Sequence, residues 1–173
     1  MNLTRLFLPI LVSVVFILES LFTNFIAVLP SLQEWILSPR FLLIILVFMV
    51  SYINLKQGMI YGIIFGMLYD IAFTDVLGVY MFGFPVICFI MTKFLKILQN
   101  NIIVVSFISL LAVALLEFYV YSINLTVHLT HMGMTDFLHI RFYPTMILNA
   151  IFIIIFAFPM QKRFQKLSIE YME

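Results

Sequence analysis

Six apolar runs separated by short connections constrain this chain more than any other feature. They cover residues 6–29, 41–54, 58–74, 79–97, 102–129 and 142–160. A helix that crosses a bilayer needs about 20 predominantly apolar residues, so six crossings would use most of the 173 residues. The sequence therefore predicts an all-α protein, a polytopic membrane bundle of about six transmembrane helices, with a single domain over residues 1–173.

The composition excludes an ordinary soluble domain. Hydrophobic residues make up 65% of the chain and charged residues 10%, whereas soluble domains average about 45–50% apolar and about 25% charged residues. A soluble fold of this size would lack the charge to cover its surface, so lipid is the expected solvent. The single cysteine, Cys88, lies in an apolar run and excludes an internal disulfide.

Several boundaries remain open at this level. The second and third runs are short for a complete crossing, and a hairpin that spans only part of the bilayer is the alternative. Pro30 is expected to close the first helix and Pro159 to stop the sixth. The tail after Gln161 either continues the last helix or frays, since Phe164 and Leu167 recur at a helical interval. The first run resembles a signal peptide but contains an acid and no small-residue cleavage site, so it is expected to be retained.

The lysines and arginines predict the orientation. With a cytoplasmic N-terminus, seven basic residues fall in inner segments and two, Arg40 and Arg141, in outer ones. The inner seven are Arg5, Lys56, Lys93, Lys96, Lys162, Arg163 and Lys166. This positive-inside bias predicts a multi-pass protein with both termini in the cytoplasm.

The sharpest local pattern is a stripe of Gly58, Gly62, Gly66 and Asp70, followed by Gly78. Side chains four residues apart share one face of a helix. Glycines on such a face let another helix approach closely. The stripe therefore predicts tight internal packing, a docking groove for a partner helix or an edge of a ligand cavity. Asp70 is expected to accept hydrogen bonds that fix the following turn.

Two acids lie within apolar runs, Glu19 in the first and Glu117 in the fifth. A carboxylate at the centre of a bilayer costs about 2.5–3.5 kcal/mol on the insertion scale, so each is expected to face the protein interior or water. Neither run contains a lysine or arginine at a matching depth. The expectation is thus two neutral, hydrogen-bonded acids with Ser20, Asn24 and Ser122 as neighbours, and a proton or ligand site is the alternative.

Catalytic and metal motifs are not found in the sequence. His128, His131, Asp136 and His139 share a connection, but their spacing is not that of a zinc hydrolase. No phosphate-binding loop, nucleophile elbow or basic aromatic surface for nucleic acid is present. We expect no enzyme activity, no cofactor and no metal.

The stretch GMIYGIIFGMLYDIAFTDVLG, which carries the glycine stripe, Asp70 and Gly78, resembles the bacterial rod shape-determining MreD family. The resemblance extends to the six-run layout over nearly the whole chain. It implies a non-enzymatic scaffold of the cell-elongation machinery in the bacterial cytoplasmic membrane, which supports lateral peptidoglycan synthesis. The implied partners are an MreC-like single-span protein, MreB, RodA, a class B penicillin-binding transpeptidase and membrane lipid.

The MreD family is in turn similar in fold to the S components of energy-coupling factor vitamin transporters. This similarity supplies the alternative function, a substrate-capturing transporter subunit. S components commonly carry an alanine-x-x-x-alanine pattern on their first helix, and the first run here contains one alanine, Ala27. The scaffold is therefore favoured, with the glycine stripe as the hypothetical docking element for the transmembrane helix of the MreC-like partner.

Overall fold

The computed structural model describes residues 3–29, 34–98 and 101–172, and these ranges are helical apart from short connections. Seven α-helices and one π-helical segment follow in chain order, with no strand in the described residues. They are α1 (Leu3–Val28), α2 (Phe41–Tyr52), α3 (Leu55–Phe73), α4 (Val79–Ile97), α5 (Ile102–Thr126), α6 (Met134–Asp136), the π-helical segment (Phe137–Phe142) and α7 (Tyr143–Met172). The all-α prediction is confirmed.

Four stretches among the described residues are long and apolar enough to cross a membrane. They are Phe7–Ile26, Val79–Ile97, Ile102–Thr126 and Met134–Ile169. The α2 helix is shorter, with 12 residues, and α3 combines 19 residues with glycines and polar side chains. These two helices correspond to the second and third apolar runs, whose crossing the sequence left open, so six crossings stay a prediction.

The α2 helix is the centre of the bundle. All ten residues from Phe41 to Val50 are buried, and α2 contacts α1, α3, α4, α5 and α7. A helix that is apolar on every face is stable where protein surrounds it on every side. With 12 residues at about 1.5 Å each, α2 is about 18 Å long.

Several helix boundaries differ from the predicted ones. The α3 helix begins earlier, at Leu55, because the Asn54 side chain caps it by accepting a 2.8 Å hydrogen bond from the Gln57 amide. The α5 helix ends at Thr126, and His128 has a φ of 60° just beyond it. The predicted stop at residue 129 is therefore wrong by three residues.

The last helix does not stop at Pro159. It continues to Met172, and the buried side chains of Phe164 and Leu167 pack against the bundle. The missing amide hydrogen of a proline removes one hydrogen bond, and a membrane helix tolerates that loss where its neighbours compensate. The predicted end at residue 160 is wrong, and the alternative in which the tail continues the helix is confirmed. Pro30, the predicted end of the first helix, lies outside the described residues.

The outside of the bundle is apolar. Side chains such as Ile10, Phe25, Phe107 and Ile154 are more than half exposed. In water, a surface of this kind would aggregate. In a bilayer it meets acyl chains of equal polarity, so the exposed apolar surface is consistent with the membrane environment predicted from composition.

A buried arginine–glutamate cluster as candidate functional site

A non-helical segment, residues 36–40, leads into the bundle to the start of α2. Its backbone is hydrogen-bonded to the last part of the chain. The Ile36 amide donates to the Ile140 carbonyl at 2.9 Å, and the Ser38 amide donates to Thr145 Oγ1 at 3.1 Å. Non-helical backbone at membrane depth is tolerated where protein satisfies its polar groups, and here α7 and the π-helical segment do so.

Asn149 completes this anchoring from α7. Its Oδ1 accepts from the Arg40 amide at 2.9 Å, while its Nδ2 donates to the Ser38 carbonyl at 3.1 Å. Both ends of the amide are thus used on the same segment. Asn149 and Thr145 are fully buried, and neither was singled out from the sequence. Both are polar residues within the sixth apolar run, and this feature of the sequence could have identified them.

This segment ends at Arg40, which is buried in the bundle. Its side chain is 3% exposed, and its Nε donates to Glu117 Oε1 at 2.7 Å. One terminal nitrogen donates to the Tyr69 hydroxyl at 3.1 Å. The guanidinium carbon also lies 5.1 Å from the ring centroid of Tyr80, within the range of a cation–π contact. A buried cation needs such partners, since without them its desolvation would be prohibitive.

Glu117 is shared between two arginines. Its second oxygen, Oε2, accepts from Arg141 Nε at 2.8 Å, and the glutamate side chain is fully buried. The formal charge of the three side chains is +1. We call Arg40, Glu117 and Arg141 the arginine–glutamate cluster. It ties the start of α2, the middle of α5 and the π-helical segment together.

This arrangement corrects the prediction for Glu117. The sequence suggested a neutral acid without a cation at its depth, because Arg40 and Arg141 belong to connections rather than to apolar runs. Both connections enter the bundle, however, and long arginine side chains reach further still. The predicted neighbour Ser122 instead donates to the Phe118 carbonyl in its own helix.

Glu19 is buried and hydrogen-bonded, as predicted, but to a different partner. Its Oε2 accepts a 2.8 Å hydrogen bond from the Leu42 amide in the first turn of α2, and its Oε1 is buried with no hydrogen-bond partner among the described residues. A carboxylate at a helix N-terminus satisfies free amides and complements the helix dipole. The hydrogen-bond partner of Glu19 is thus a backbone amide of α2 rather than the predicted Ser20 or Asn24.

Asp70 acts in the same way on α4. Its Oδ1 accepts from the Tyr80 amide at 2.8 Å, and its Oδ2 accepts from the Gly78 and Met81 amides at 2.9 and 3.0 Å. Gly78 has a φ of 101°, a left-handed conformation that a side chain would strain. An acid in α3 therefore fixes the α3–α4 turn and caps the helix that follows it.

The glycine stripe faces helices of its own chain. A Cβ added at Gly66 would lie 2.5 Å from the Tyr80 carbonyl oxygen and 2.8 Å from Met81 Cα, both backbone atoms of α4. At Gly62 it would lie 3.4 Å from the Pro85 nitrogen, and at Gly58 it would overlap a methyl group of Val50 in α2. The stripe thus sets the close approach of α3 to α4 and α2, which is the internal-packing alternative. A partner at this face would contact the α3–α4 pair that the glycines assemble.

The predicted histidine-rich connection offers no metal site in the part of the chain that the structure describes. No group of three histidine, cysteine, aspartate or glutamate side chains comes together there. The His139 ring instead lies 5.7 Å from the ring of Tyr143.

Comparison with known proteins identifies the family. The family profile described as rod shape-determining protein MreD matches residues 4–167. The chain belongs to the MreD family. A curated relative, the rod shape-determining protein MreD of Bacillus subtilis (strain 168), is 43% identical over 166 residues, which are 96% of this chain and 96% of the relative. No solved structure was matched.

Family membership bears on the two functions that the sequence left open. An MreD-family membrane protein is a rod shape-determining protein, so the resemblance drawn from the glycine stripe is confirmed. The likeness to transporter S components stays a prediction. The residues that sequence reasoning missed are those at the centre of the bundle: Arg40, Arg141, Tyr69, Tyr80, Thr145 and Asn149.

Proposed function

We propose that this chain is a non-enzymatic scaffold of the rod-shape machinery, which binds the transmembrane helix of an MreC-like partner and thereby supports lateral peptidoglycan synthesis. Membership of the MreD family supports the cellular role. The arginine–glutamate cluster supports a rigid platform, because it joins α2, α5 and the π-helical segment at the centre of the bundle. A docking surface needs such rigidity, since each side chain ordered on binding would weaken the contact.

The observation that carries the proposal is an apolar groove of about 280 Å³ along the outside of the α3–α4 pair. It is lined by Met59, Ile63, Met81, Phe82, Pro85, Val86 and Phe89. We call it the α3–α4 groove. Two of these lining residues, Pro85 and Met81, are also the ones whose backbone atoms approach Gly62 and Gly66. The glycine stripe thus contributes to partner binding by setting the close spacing of the two helices that form the groove.

A helix is the fitting occupant of such a groove. The groove is lined by apolar surface alone and faces the lipid side of the bundle. Helices in a bilayer associate by van der Waals packing of complementary surfaces, because lipid is as apolar as the helix faces. Methionines and phenylalanines at the rim adapt to the shape of an incoming helix.

The orientation and the wider assembly belong to the same proposal. Both termini lie in the cytoplasm, as the distribution of basic residues indicates. The turn at residues 74–78 and the connection at residues 127–142 then face the outside, where peptidoglycan is made. MreB on the inner side, with RodA and a class B penicillin-binding transpeptidase, completes the proposed set of partners.

Co-purification with the MreC-like partner tests the α3–α4 groove. The full-length protein would be extracted in mild detergent as wild type, Ile63→Trp or Val86→Trp, with the matched control Ile155→Trp on the exposed face of α7. The tryptophans at 63 and 86 fill the groove and should reduce partner recovery at least tenfold, whereas Ile155→Trp should recover as much partner as wild type. Undiminished recovery with both groove variants, in protein that remains folded, would remove the groove from the interface.

A further inference from the structure

A polar cavity of about 260 Å³ opens at the end of the bundle that carries the α3–α4 turn. Thr74, Asp75, Tyr80, Asn124 and Arg141 supply its polar wall. Three other cavities of the described residues have mostly apolar walls. The rest of the outer surface is apolar, so this polar cavity is the place where a molecule with hydrogen-bonding groups would bind.

Arg141 is the basic residue in the lining of this cavity. Its Nε is committed to Glu117, and its side chain is 21% exposed. A guanidinium has five N–H donors. Among the described residues, the Arg141 guanidinium donates one hydrogen bond, through Nε. Arg141 also lines the cavity. Donors therefore remain for a bound molecule.

The charges next to this donor set are a net positive one in the arginine–glutamate cluster and a negative one at Asp75, which lines the same cavity. Glu117 is shared with Arg40, so the three side chains carry a formal charge of +1. A planar guanidinium binds carboxylate and phosphate groups through paired hydrogen bonds. Asp75, which is exposed, stands at the opening and would repel a bare anion but accept hydrogen bonds from hydroxyl groups of a larger one.

The backbone at this point is also unusual. Arg141 belongs to the π-helical segment Phe137–Phe142. A π-helical turn is rare, and such turns occur frequently at functional sites. The size of the cavity restricts the ligand further, because it is below the range of about 300–1,000 Å³ typical of drug-sized ligands. A single phosphate- or carboxylate-bearing head fits these limits.

We propose that this cavity is a binding site for an anionic group, a phosphate or carboxylate that carries hydroxyl substituents, with Arg141 as its cation and Tyr80, Asn124 and Thr74 as its hydrogen-bonding wall. The group is supplied either by a soluble molecule or by the head of an anionic lipid. This proposal does not depend on the partner helix, which would occupy a different surface.

Thermal unfolding of the purified full-length protein, followed by the fluorescence of its single tryptophan, Trp35, tests the site. Glycerol phosphate, a phosphate that carries hydroxyl groups, is titrated at constant ionic strength into protein held in phosphatidylcholine nanodiscs. A second series compares phosphatidylcholine nanodiscs with nanodiscs that contain phosphatidylglycerol. Stabilisation by glycerol phosphate identifies a soluble anion, and stabilisation by phosphatidylglycerol alone identifies a lipid head. At an anion concentration of ten times the dissociation constant, the equilibrium constant of unfolding should be about 11-fold lower.

Three variants decide whether the response arises in this cavity. Arg141→Gln removes the cation, and Asn124→Phe fills the cavity while it leaves the arginine–glutamate cluster intact. Neither variant should be stabilised against unfolding by the anion that stabilises wild type. Lys162→Gln, which removes an exposed charge far along α7, should respond as wild type does. If neither anion stabilises wild type, or if Asn124→Phe responds undiminished, the proposal is overturned, and this holds even if Arg141→Gln fails to fold.

Discussion

Arg40 Nε lies 2.7 Å from Glu117 Oε1, although the two residues are 77 positions apart in the chain. The pair joins the start of α2 to the middle of α5, and Arg141 adds the π-helical segment through the second carboxylate oxygen. In a bilayer, the bundle has little hydrophobic driving force between its helices. Directed polar contacts at the centre therefore have a large part in deciding which helices are neighbours.

Removal of the shared carboxylate should destabilise the bundle. Glu117→Leu leaves Arg40 buried without its main partner, and breaking a buried ion pair in this way costs about 3–5 kcal/mol. The midpoint of unfolding in a detergent titration measures the effect, with Lys162→Gln as the control. An unchanged midpoint would mean that water or lipid head groups reach Arg40 in place of Glu117.

The pair should also show strong coupling. Arg40→Met with Glu117→Met replaces both charges by apolar side chains, which is often close to neutral for a buried pair. We expect the double variant to be more stable than Glu117→Met alone, with a coupling free energy of about 0.5–3 kcal/mol. Unfolding of the two single variants and the double variant completes the cycle, and additive losses would contradict the coupling.

The sequence predicted the helices better than it predicted their polar contacts. The apolar runs determined both ends of α4 and the starts of α2 and α5, because lipid requires long uninterrupted apolar helices. Arg40 and Arg141 were assigned to outer connections by the same logic. Their positions inside the bundle depend on tertiary hydrogen bonds, such as those of Asn149 to the segment before α2, and no local pattern encodes these bonds.

Asp70→Asn should weaken the cap of α4. The aspartate accepts from three backbone amides with two oxygens, whereas an asparagine presents one oxygen and an NH₂ group that faces donors. Loss of an N-terminal cap costs about 0.5–2 kcal/mol. Asp75→Asn, an exposed acid in the same turn, is the control and should unfold as wild type does. Equal midpoints for the two variants would show that the cap contributes no stability.

Gly62 and Gly66 of the stripe should differ in their tolerance of alanine. Gly66→Ala places a methyl group against the backbone of Tyr80 and Met81, which cannot rotate away. Overpacking of this kind costs about 1–3 kcal/mol. Gly62→Ala meets α4 at 3.4 Å or more and should cost less. The thermal midpoints of both variants test this order, and equal losses would mean that α3 and α4 shift apart freely.

Labelling of introduced cysteines in intact cells tests the orientation on which the external position of the polar cavity depends. In a Cys88→Ala background, Asp75→Cys should react with an impermeant maleimide, because the proposed topology places the α3–α4 turn outside. Lys96→Cys should react only after permeabilisation, because the proposed topology places this basic residue in the cytoplasm. Both positions are exposed in the structure, so accessibility to reagent differs by side of the membrane and not by burial. Reaction of Lys96→Cys in intact cells would reverse the topology and expose the Arg141 cavity to the cytoplasm, where its ligand would have to be a cytosolic anion or an inner-leaflet lipid.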